Sequence, residues 1–263
     1  MRRMKILVTG YKGFIGSNLY ENLIKDDYDV DGFDWGDPYP KVKKYDWVIH
    51  LGAISSTTET NVEKIMMQNY DFSVDLYKDC RHHEVNFQFA SSASLYGLKN
   101  SFNEDDPVDP RTPYAWSKYM FEKYLTEHKR TSNVQIFRYF NVYGPGEEHK
   151  GSQASPHCQF VEQAKKTGVI KVFENSEKYQ RDFIHVSQII TFHKLFMRKE
   201  VSGIFNLGNG STRSFKEVAE QFAPLYNAEI QTIPMPDNLK HSYQEYTCAD
   251  MKKTWKALEG EEL

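Results

Sequence analysis

The chain is poor in cysteine. Cys80, Cys158 and Cys248 are the only three in 263 residues, far apart and with no C-x-x-C pair. So odd and sparse a set argues against a disulfide framework or a zinc ribbon and fits reduced thiols in a cytosol-like compartment. Long apolar runs are missing too: nothing approaches the ~20 residues a membrane-spanning helix needs. The opening MRRMKILVTG sets two arginines before an apolar stretch far too short for a signal peptide. Nor is there an excess of either charge. Lys plus Arg number 33 against 36 Asp plus Glu, for a net charge of −3, which gives no reason to expect nucleic acid or a membrane surface as partner. Repeats, low-complexity tracts and clustered His, Cys or carboxylates are lacking, so no metal is expected. What remains is a soluble, cytoplasmic chain with 40% hydrophobic residues, long enough for one large or two closely joined domains.

What is present alternates. MKILVTG is a short apolar run ended by glycine, the pattern of a buried parallel strand. FIGSNLYENLIKD then puts Ile15, Leu19, Leu23 and Ile24 on one helical face. YDVDGFDW, DWVIHLGA, VNFQFASS and VQIFRYF read as further strands. Helices are expected from about Glu59 to Cys80 and over PYAWSKYMFEKYLTEH, which has proline near its start. The alternation predicts an α/β fold, a Rossmann-like doubly wound parallel sheet with a small C-terminal substrate-binding lobe. Beyond Asn141 the pattern mixes helices (Ser155–Thr167, Ser187–Arg198, Ser214–Tyr226) with strands VIKVF, RDFIHV, GIFNLG and AEIQTIP. We expect residues 1–141 to form a dinucleotide-binding domain whose sheet is completed by about 182–207. The lobe then falls to 142–181 and 208–263. Asp34 and Asp46 are only twelve positions apart, which leaves no room for the usual helix and strand, so a clipped sheet edge is expected there.

TGYKGFIG follows the first strand, with Gly10, Gly13 and Gly16 at G-x-x-G-x-x-G spacing. Glycine there permits a tight turn and a close backbone approach, so a pyrophosphate can sit on the amides at a helix N-terminus. Three glycines alone are a weak signal; strand, turn and amphipathic helix around them strengthen it. Asp34 closes the second strand, placed to hold ribose hydroxyls and to repel a 2′-phosphate. NAD is therefore the expected cofactor, with NADP left open by Lys41, Lys43 and Lys44 nearby. The cofactor-binding set is Gly10, Gly13, Phe14, Ile15, Gly16, Asp34, Leu51, Gly52, Ala53, Tyr114 and Lys118.

YAWSK places Tyr114 and Lys118 four apart, on one helical face. That spacing occurs by chance, and its ordinary meaning is an exposed tyrosine beside a solvated lysine. Ser92 changes the weighting, because it ends the strand FQFASS at the carboxyl edge of the sheet, where ligands bind in such folds. Serine, tyrosine and lysine beside a dinucleotide form a set that can move a proton while a hydride moves. A tyrosine base near neutrality needs its pKa lowered by about three units, or ~4 kcal/mol. Lys118 and a positive nicotinamide ring are expected to supply that.

These stretches, with ASSASLYG, resemble the extended short-chain dehydrogenases that act on nucleotide sugars, from Met4 to about Asp250. Within that family the chain is most similar to the ADP-glycero-manno-heptose 6-epimerases, through HLGAISSTTET, FRYFNVYGP, HKGSQAS, RDFIHV, SGIFNLGNG and YQEYTCAD. HKGS and SSTTE are the more specific of these. The resemblance implies an NAD(P)-dependent epimerase that oxidises a carbinol transiently to a ketone and returns the hydride to the other face. Tyr114 and Lys150 would then serve as acid/base groups on the two sides of the carbon, in place of the solvated loop charge Lys150 would ordinarily be. It further implies that Ser92 and Lys150 touch the sugar, that Asn141 and Arg181 hold the diphosphate of a nucleotide-diphosphate sugar, and that Tyr243 lines the sugar pocket. Arg138, Asp182, His149 and His185 are expected to be structural. A homo-oligomer is implied as well, through helices near 59–80 and 114–130.

Neighbouring activities differ at single positions. Dehydratases carry an Asp–Glu pair where this chain has Ala93 and Ser94. GDP-fucose synthases, which epimerise and reduce, carry cysteine at Ala93 and histidine at Lys150. That epimerase/reductase remains an alternative, as does a 4-epimerase, which needs only the tyrosine. A non-catalytic dinucleotide sensor would have no use for Ser92, Tyr114 and Lys118 together.

Overall fold

In the computed structural model, which describes residues 2–56, 59–128, 132–237 and 244–259, the chain opens with β1 (Lys5–Thr9), α1 (Phe14–Lys25), β2 (Asp29–Phe33) and β3 (Trp47–His50). α2 (Val62–Met66) runs through a π-helical turn, Met67–Asp71, into α3 (Phe72–His82), followed by β4 (Asn86–Ser92), α4 (Pro113–Glu127), β5 (Val134–Tyr139) and β6 (Asn141–Tyr143). Next come α5 (Pro156–Thr167), β7 (Val169–Phe173), β8 (Gln180–Arg181), β9 (Phe183–His185), α6 (Val186–Met197) and β10 (Gly203–Leu207). β11 (Arg213–Ser214), α7 (Phe215–Phe222), β12 (Glu229–Ile233), β13 (Tyr246–Thr247) and α8 (Lys252–Ala257) complete it.

Six strands form one sheet in the order β10-β5-β4-β3-β1-β2, parallel throughout. This is the Rossmann-like α/β arrangement the alternation predicts. Strand residues alternate between two cores. Leu7, Val48, Phe87, Phe89, Val134 and Ile136 pack with Leu76, Tyr77, Phe121 and Leu125 of α3 and α4. Ile6, Val8, Trp47 and Ile49 pack with Leu19 and Leu23 of α1 and Val186 and Ile190 of α6. Each such buried side chain contributes about 1.5–3 kcal/mol, so a one-residue slip of register would move every one of them to the wrong face.

The clipped edge is there. Between β2 and β3 stands only a short 3-10 turn, Val42–Lys44, and β2 ends the sheet. The Lys44–Asp31 and Lys5–Asp29 ion pairs, at 2.7 and 3.1 Å, lay charge along that open edge, which discourages pairing with another strand.

Three small sheets, β11-β8-β13, β12-β7 and β6-β9, lie outside the main one. A separate core of Phe160, Ala164, Ile170, Val172, Phe183 and Val218 joins α5, β7, β9 and α7. Here the structure departs from the sequence pattern. RDFIHV is two strands, because Asp182, fully buried, turns inward to accept the amides of Asn209, Gly210 and Ala249 at 2.6, 2.9 and 3.0 Å. The helix expected to run to Tyr226 ends at Phe222, two residues short of Pro224. The one expected from Glu59 starts at Val62, where Asn61 accepts the Lys64 amide. β6, β11, β13 and α8 are too short for periodicity to reveal.

Candidate active site

The glycine turn shows why Gly10 and Gly16 are needed. Gly10 takes φ 71°, a left-handed value, and a Cβ there would stand 2.6 Å from the Cα of Gly52. A Cβ on Gly16 would lie 2.0 Å from the carbonyl oxygen of Gly10, so only glycine lets α1 lean this closely on the turn. Gly13 caps α1 without a side chain, whereas α4, α5 and α7 are capped by Thr112, Ser155 and Ser214. The first amides of α1 are thus left for an anion, a cradle that fits a pyrophosphate.

This turn opens into a cleft of about 410 Å³ at the carboxyl ends of the strands. All eleven residues of the expected cofactor set line it: Gly10, Gly13, Phe14, Ile15, Gly16, Asp34, Leu51, Gly52, Ala53, Tyr114 and Lys118. Asp34 stands across from the turn, its carboxylate accepting the Lys12 amide at 3.2 Å and the Trp35 amide at 2.8 Å. Lys41 is exposed and Lys44 is drawn to Asp31. The lysine that does reach this end of the cleft is Lys12, 3.8 Å from Asp37; an x position between glycines carries no spacing signal that could have singled it out.

Tyr114 projects from the first turn of α4, and its phenol has the hydroxyl of Ser92, at the end of β4, as its polar neighbour. Lys118 follows one turn later, only 3% exposed, donating to the Ala90 carbonyl at 2.7 Å with its amine 4.7 Å from the Phe89 ring centroid and 5.9 Å from that of Tyr114. Burial pushes the Lys118 ammonium down to about 7, against a smaller opposing pull from Glu122. Burial likewise raises the Tyr114 phenol above its ordinary value, and only the Ser92 hydrogen bond opposes it. The lowering expected from Lys118 is not found in the protein alone, since that amine is turned to a backbone carbonyl and loses charge to desolvation.

Lys150 sits in a 3-10 turn, Glu148–Gln153, kinked at Gly151 (φ 53°). It is half-buried, lines the cleft, and its amine lies 5.5 Å from the Phe14 ring centroid. Burial lowers its pKa and Glu147 pulls the other way. Glu147 itself is 1% exposed and committed to the loop, accepting from the Gly144 amide and from both the amide and hydroxyl of Ser155. Among the described residues no carboxylate comes within ion-pair distance of Lys150. Tyr114 therefore enters the cleft from a helix on one face of the sheet, and Lys150 from beside α1 on the other.

The remaining expectations divide. Asn141 is exposed at the start of β6, and Arg181 is 8% exposed on β8, donating to the carbonyls of Gln180 and Gln244. Neither is among the residues lining the cleft. Tyr243 lies outside the described residues, as do Thr57 and Thr58 of SSTTE. Arg138 pairs with Glu122 at 2.8 Å in the core, and His185 caps α6. His149, expected to be structural, lines the cleft instead. Tyr139, at the end of β5, lines it too and had no motif to mark it. Among the described residues no cluster of His, Cys or carboxylates could hold a metal, and no helix is long and apolar enough to cross a membrane.

A glycine turn, an acid ending the second strand and a Ser–Tyr–Lys set at one sheet edge define a dinucleotide-dependent enzyme of the epimerase and dehydratase kind. The model of the NAD dependent epimerase/dehydratase family matches residues 6–208, and the chain belongs to that family. It is 36% identical to an ADP-L-glycero-D-manno-heptose-6-epimerase of Brachyspira hyodysenteriae over 285 residues, 94% of this chain and 90% of the relative. It also superposes on the crystal structure of Helicobacter pylori ADP-L-glycero-D-manno-heptose-6-epimerase, with TM-score 0.87 and 25% identity over 99% of this chain and 92% of that one. Thermus thermophilus UDP-glucose 4-epimerase, solved with NAD, matches with TM-score 0.80 and 25% identity over 96% and 92%.

Proposed function

We propose that this chain is an NAD-dependent nucleotide-sugar epimerase of the heptose 6-epimerase kind, inverting a secondary carbinol by way of a transient ketone. The observation that carries this reading is that Tyr114, Lys118 and Lys150 line the same cleft as the glycine turn. NAD, when bound, supplies a hydride acceptor and donor in that cleft. The α1 amides and the glycine turn hold its pyrophosphate, and Asp34 its ribose.

The protein's own groups then handle the proton. Tyr114 takes it from the carbinol, with Ser92 orienting the same oxygen. Lys118, titrating about neutrality, sets positive charge one helical turn from the phenol, and charging it favours phenolate. Lys150, entering from the other face of the sheet with a lowered pKa, exchanges a proton when the ketone is presented the other way round. Two acid/base groups on opposite walls suit a carbinol whose oxygen is presented differently before and after turnover; a 4-epimerase working through the tyrosine alone would leave Lys150 idle.

Residues 142–181 and 208–263 serve as the substrate lobe over the dinucleotide domain of 1–141 and 182–207. Asn141, Arg181 and Tyr243 grip the diphosphate and sugar. A second cavity, of about 360 Å³ between Phe160, Lys171, Tyr179 and Phe215, takes the nucleoside, with the Arg181 guanidinium 5.5 Å from the Phe215 ring. Three free cysteines suit the cytoplasm. Val62, Met67, Trp116 and Met120 on α2, the π turn and α4 are 52, 45, 49 and 37% exposed, an apolar face that suits a second copy of the chain.

The test is turnover of ADP-, GDP-, UDP- and dTDP-sugars followed by proton NMR of the sugar. Tyr114→Phe should lower epimerisation by about 10²–10⁴-fold, the usual share of general acid–base catalysis, and Lys150→Ala should do so with NAD binding retained. Unchanged turnover in Lys150→Ala returns that lysine to a solvated loop; unchanged turnover in Tyr114→Phe ends the enzymatic account.

A further inference from the structure

Tyr139 lines the cleft and has no part in the chemistry above. It stands opposite Ser92 across the β4–β5 ladder, and behind it a chain of buried polar groups runs through the sheet toward α6. Tyr139 Oη lies 2.5 Å from His193 Nε2, and His193 Nδ1 lies 2.6 Å from Gln88 Oε1. Gln88 Nε2 faces Gln135 Oε1 at 2.8 Å and the His193 carbonyl at 3.1 Å. Gln135 Nε2 faces the carbonyls of Phe196, Val201 and Lys199 at 2.8, 3.1 and 3.4 Å. Gln88, Gln135 and His193 are all 0% exposed. Three buried polar side chains, on β4, β5 and α6, each partnered, form a network whose direction can be worked out.

The direction starts at the far end. Three main-chain carbonyls can only accept, so the group of Gln135 that meets them must be its NH₂. Its oxygen therefore faces Gln88, which must answer with its own NH₂; the His193 carbonyl demands the same. Gln88 then presents oxygen to His193 Nδ1, so that nitrogen carries the proton. Among the described residues no charged group packs against this imidazole; its neighbours are Tyr139, Gln88 and the ring of Phe137, 5.1 Å away edge-on. Burial pushes its pKa down to about 3, so it is neutral and Nε2 holds a lone pair. Among the described residues, the group that meets that lone pair is the hydroxyl of Tyr139.

We propose that Tyr139 is a fixed hydrogen-bond acceptor in the wall of the cleft, its own proton committed to His193, and that it receives an N–H or O–H of the bound ligand. This rests on reading the cleft as a site for NAD and a sugar, and the donor is then either the carboxamide of the nicotinamide or a sugar hydroxyl. The network is a tautomer lock: three carbonyls at the end of α6 and beyond decide which way a phenol in the cleft points.

The first test needs no turnover. ¹⁵N NMR of histidine-labelled protein, with the His193 signals identified by their loss in His193→Gln and their displacement in Tyr139→Phe, should show an Nδ1-protonated neutral ring from pH 5.5 to 8.5. An Nε2-protonated ring, or titration within that range, overturns the proposal whatever the enzyme's activity. The second test is Tyr139→Phe, which keeps the ring and removes the acceptor, assayed by calorimetry with NAD and with ADP-ribose, which lacks the nicotinamide. One neutral hydrogen bond predicts about 3- to 10-fold weaker binding. Weakening of NAD but not ADP-ribose identifies the carboxamide as donor. Unchanged NAD binding with kcat/KM for ADP-L-glycero-D-manno-heptose reduced by the same factor, and pH limbs unmoved, identifies a sugar hydroxyl. If Tyr139→Phe alters neither NAD binding nor kcat/KM, or erases a limb of the pH profile, Tyr139 is not a fixed acceptor.

Discussion

Lys118 is a cation placed where burial disfavours it. Its pKa of about 7, against 10.5 for an ordinary lysine, means that between those two values the unfolded chain binds a proton the folded one has released. Stability from this group therefore rises with pH across that window, and the penalty is fully present below about 7. Lys118→Met, which keeps the length and removes the charge, should be more thermostable than the native protein at pH 6.5 while losing turnover. The gap should narrow as the pH approaches 9.5. Thermal melts across that range check it; a gap that is constant with pH would mean Lys118 is not desolvated in the fold. Such an exchange of stability for function is what the proposed acid/base role of these buried groups entails. The glycines tell the same story without charge: their spacing is visible in the chain, but only the close backbone approaches at Gly10 and Gly16, 2.6 and 2.0 Å for an added Cβ, say which of them no other residue can replace.

At the scale of the element, the turn at Glu148–Gln153 depends on a residue just outside it. Glu147 gathers three donors from Gly144 and Ser155 and so ties the loop to the N-terminus of α5, with Lys150 held between. Glu147→Gln keeps the shape but turns one acceptor into a donor facing other donors. We expect a loss of about 1–3 kcal/mol in stability and a fall in kcat larger than any change in NAD affinity, measured by chemical denaturation and calorimetry. Equal losses in kcat and NAD affinity would place the loop's contribution in the cofactor site instead. The sequence suggested Lys150 only through a resemblance. Nothing in the local pattern of a polar, glycine-rich stretch separates a lysine lying over Phe14 from one in solvent. Strands and helices of the first 140 residues were legible because their periodicity is local. The two-residue strands β8, β11 and β13 were not, since each owes its form to a partner far along the chain.

At the scale of the whole molecule, the apolar face of α2 and α4 is the feature the monomer leaves unexplained. A homo-oligomer that buries Trp116 should fall apart when a charge is placed there. Trp116→Glu is expected to run as a monomer in light scattering after size exclusion, with NAD binding intact, whereas an unchanged mass would exclude this face as the interface. The same scale carries the polar network of Gln88, Gln135 and His193, which no window of sequence could reveal: the Gln88–His193 contact joins residues 105 positions apart.

The amino-acid sequence by itself determined the alternating α/β order, the clipped edge after β2, the glycine turn with its acid, and the Tyr114–Lys118 pair. All of these are written in spacings of a few residues, where backbone geometry alone sets which side chains share a face. The tertiary structure decided the burial of Lys118, the inward position of Lys150 and the contact of the Tyr139 hydroxyl with His193. Desolvation and hydrogen-bond direction are set by every group packed around an atom, and here those groups arrive from strands and helices that meet only once the sheet has formed.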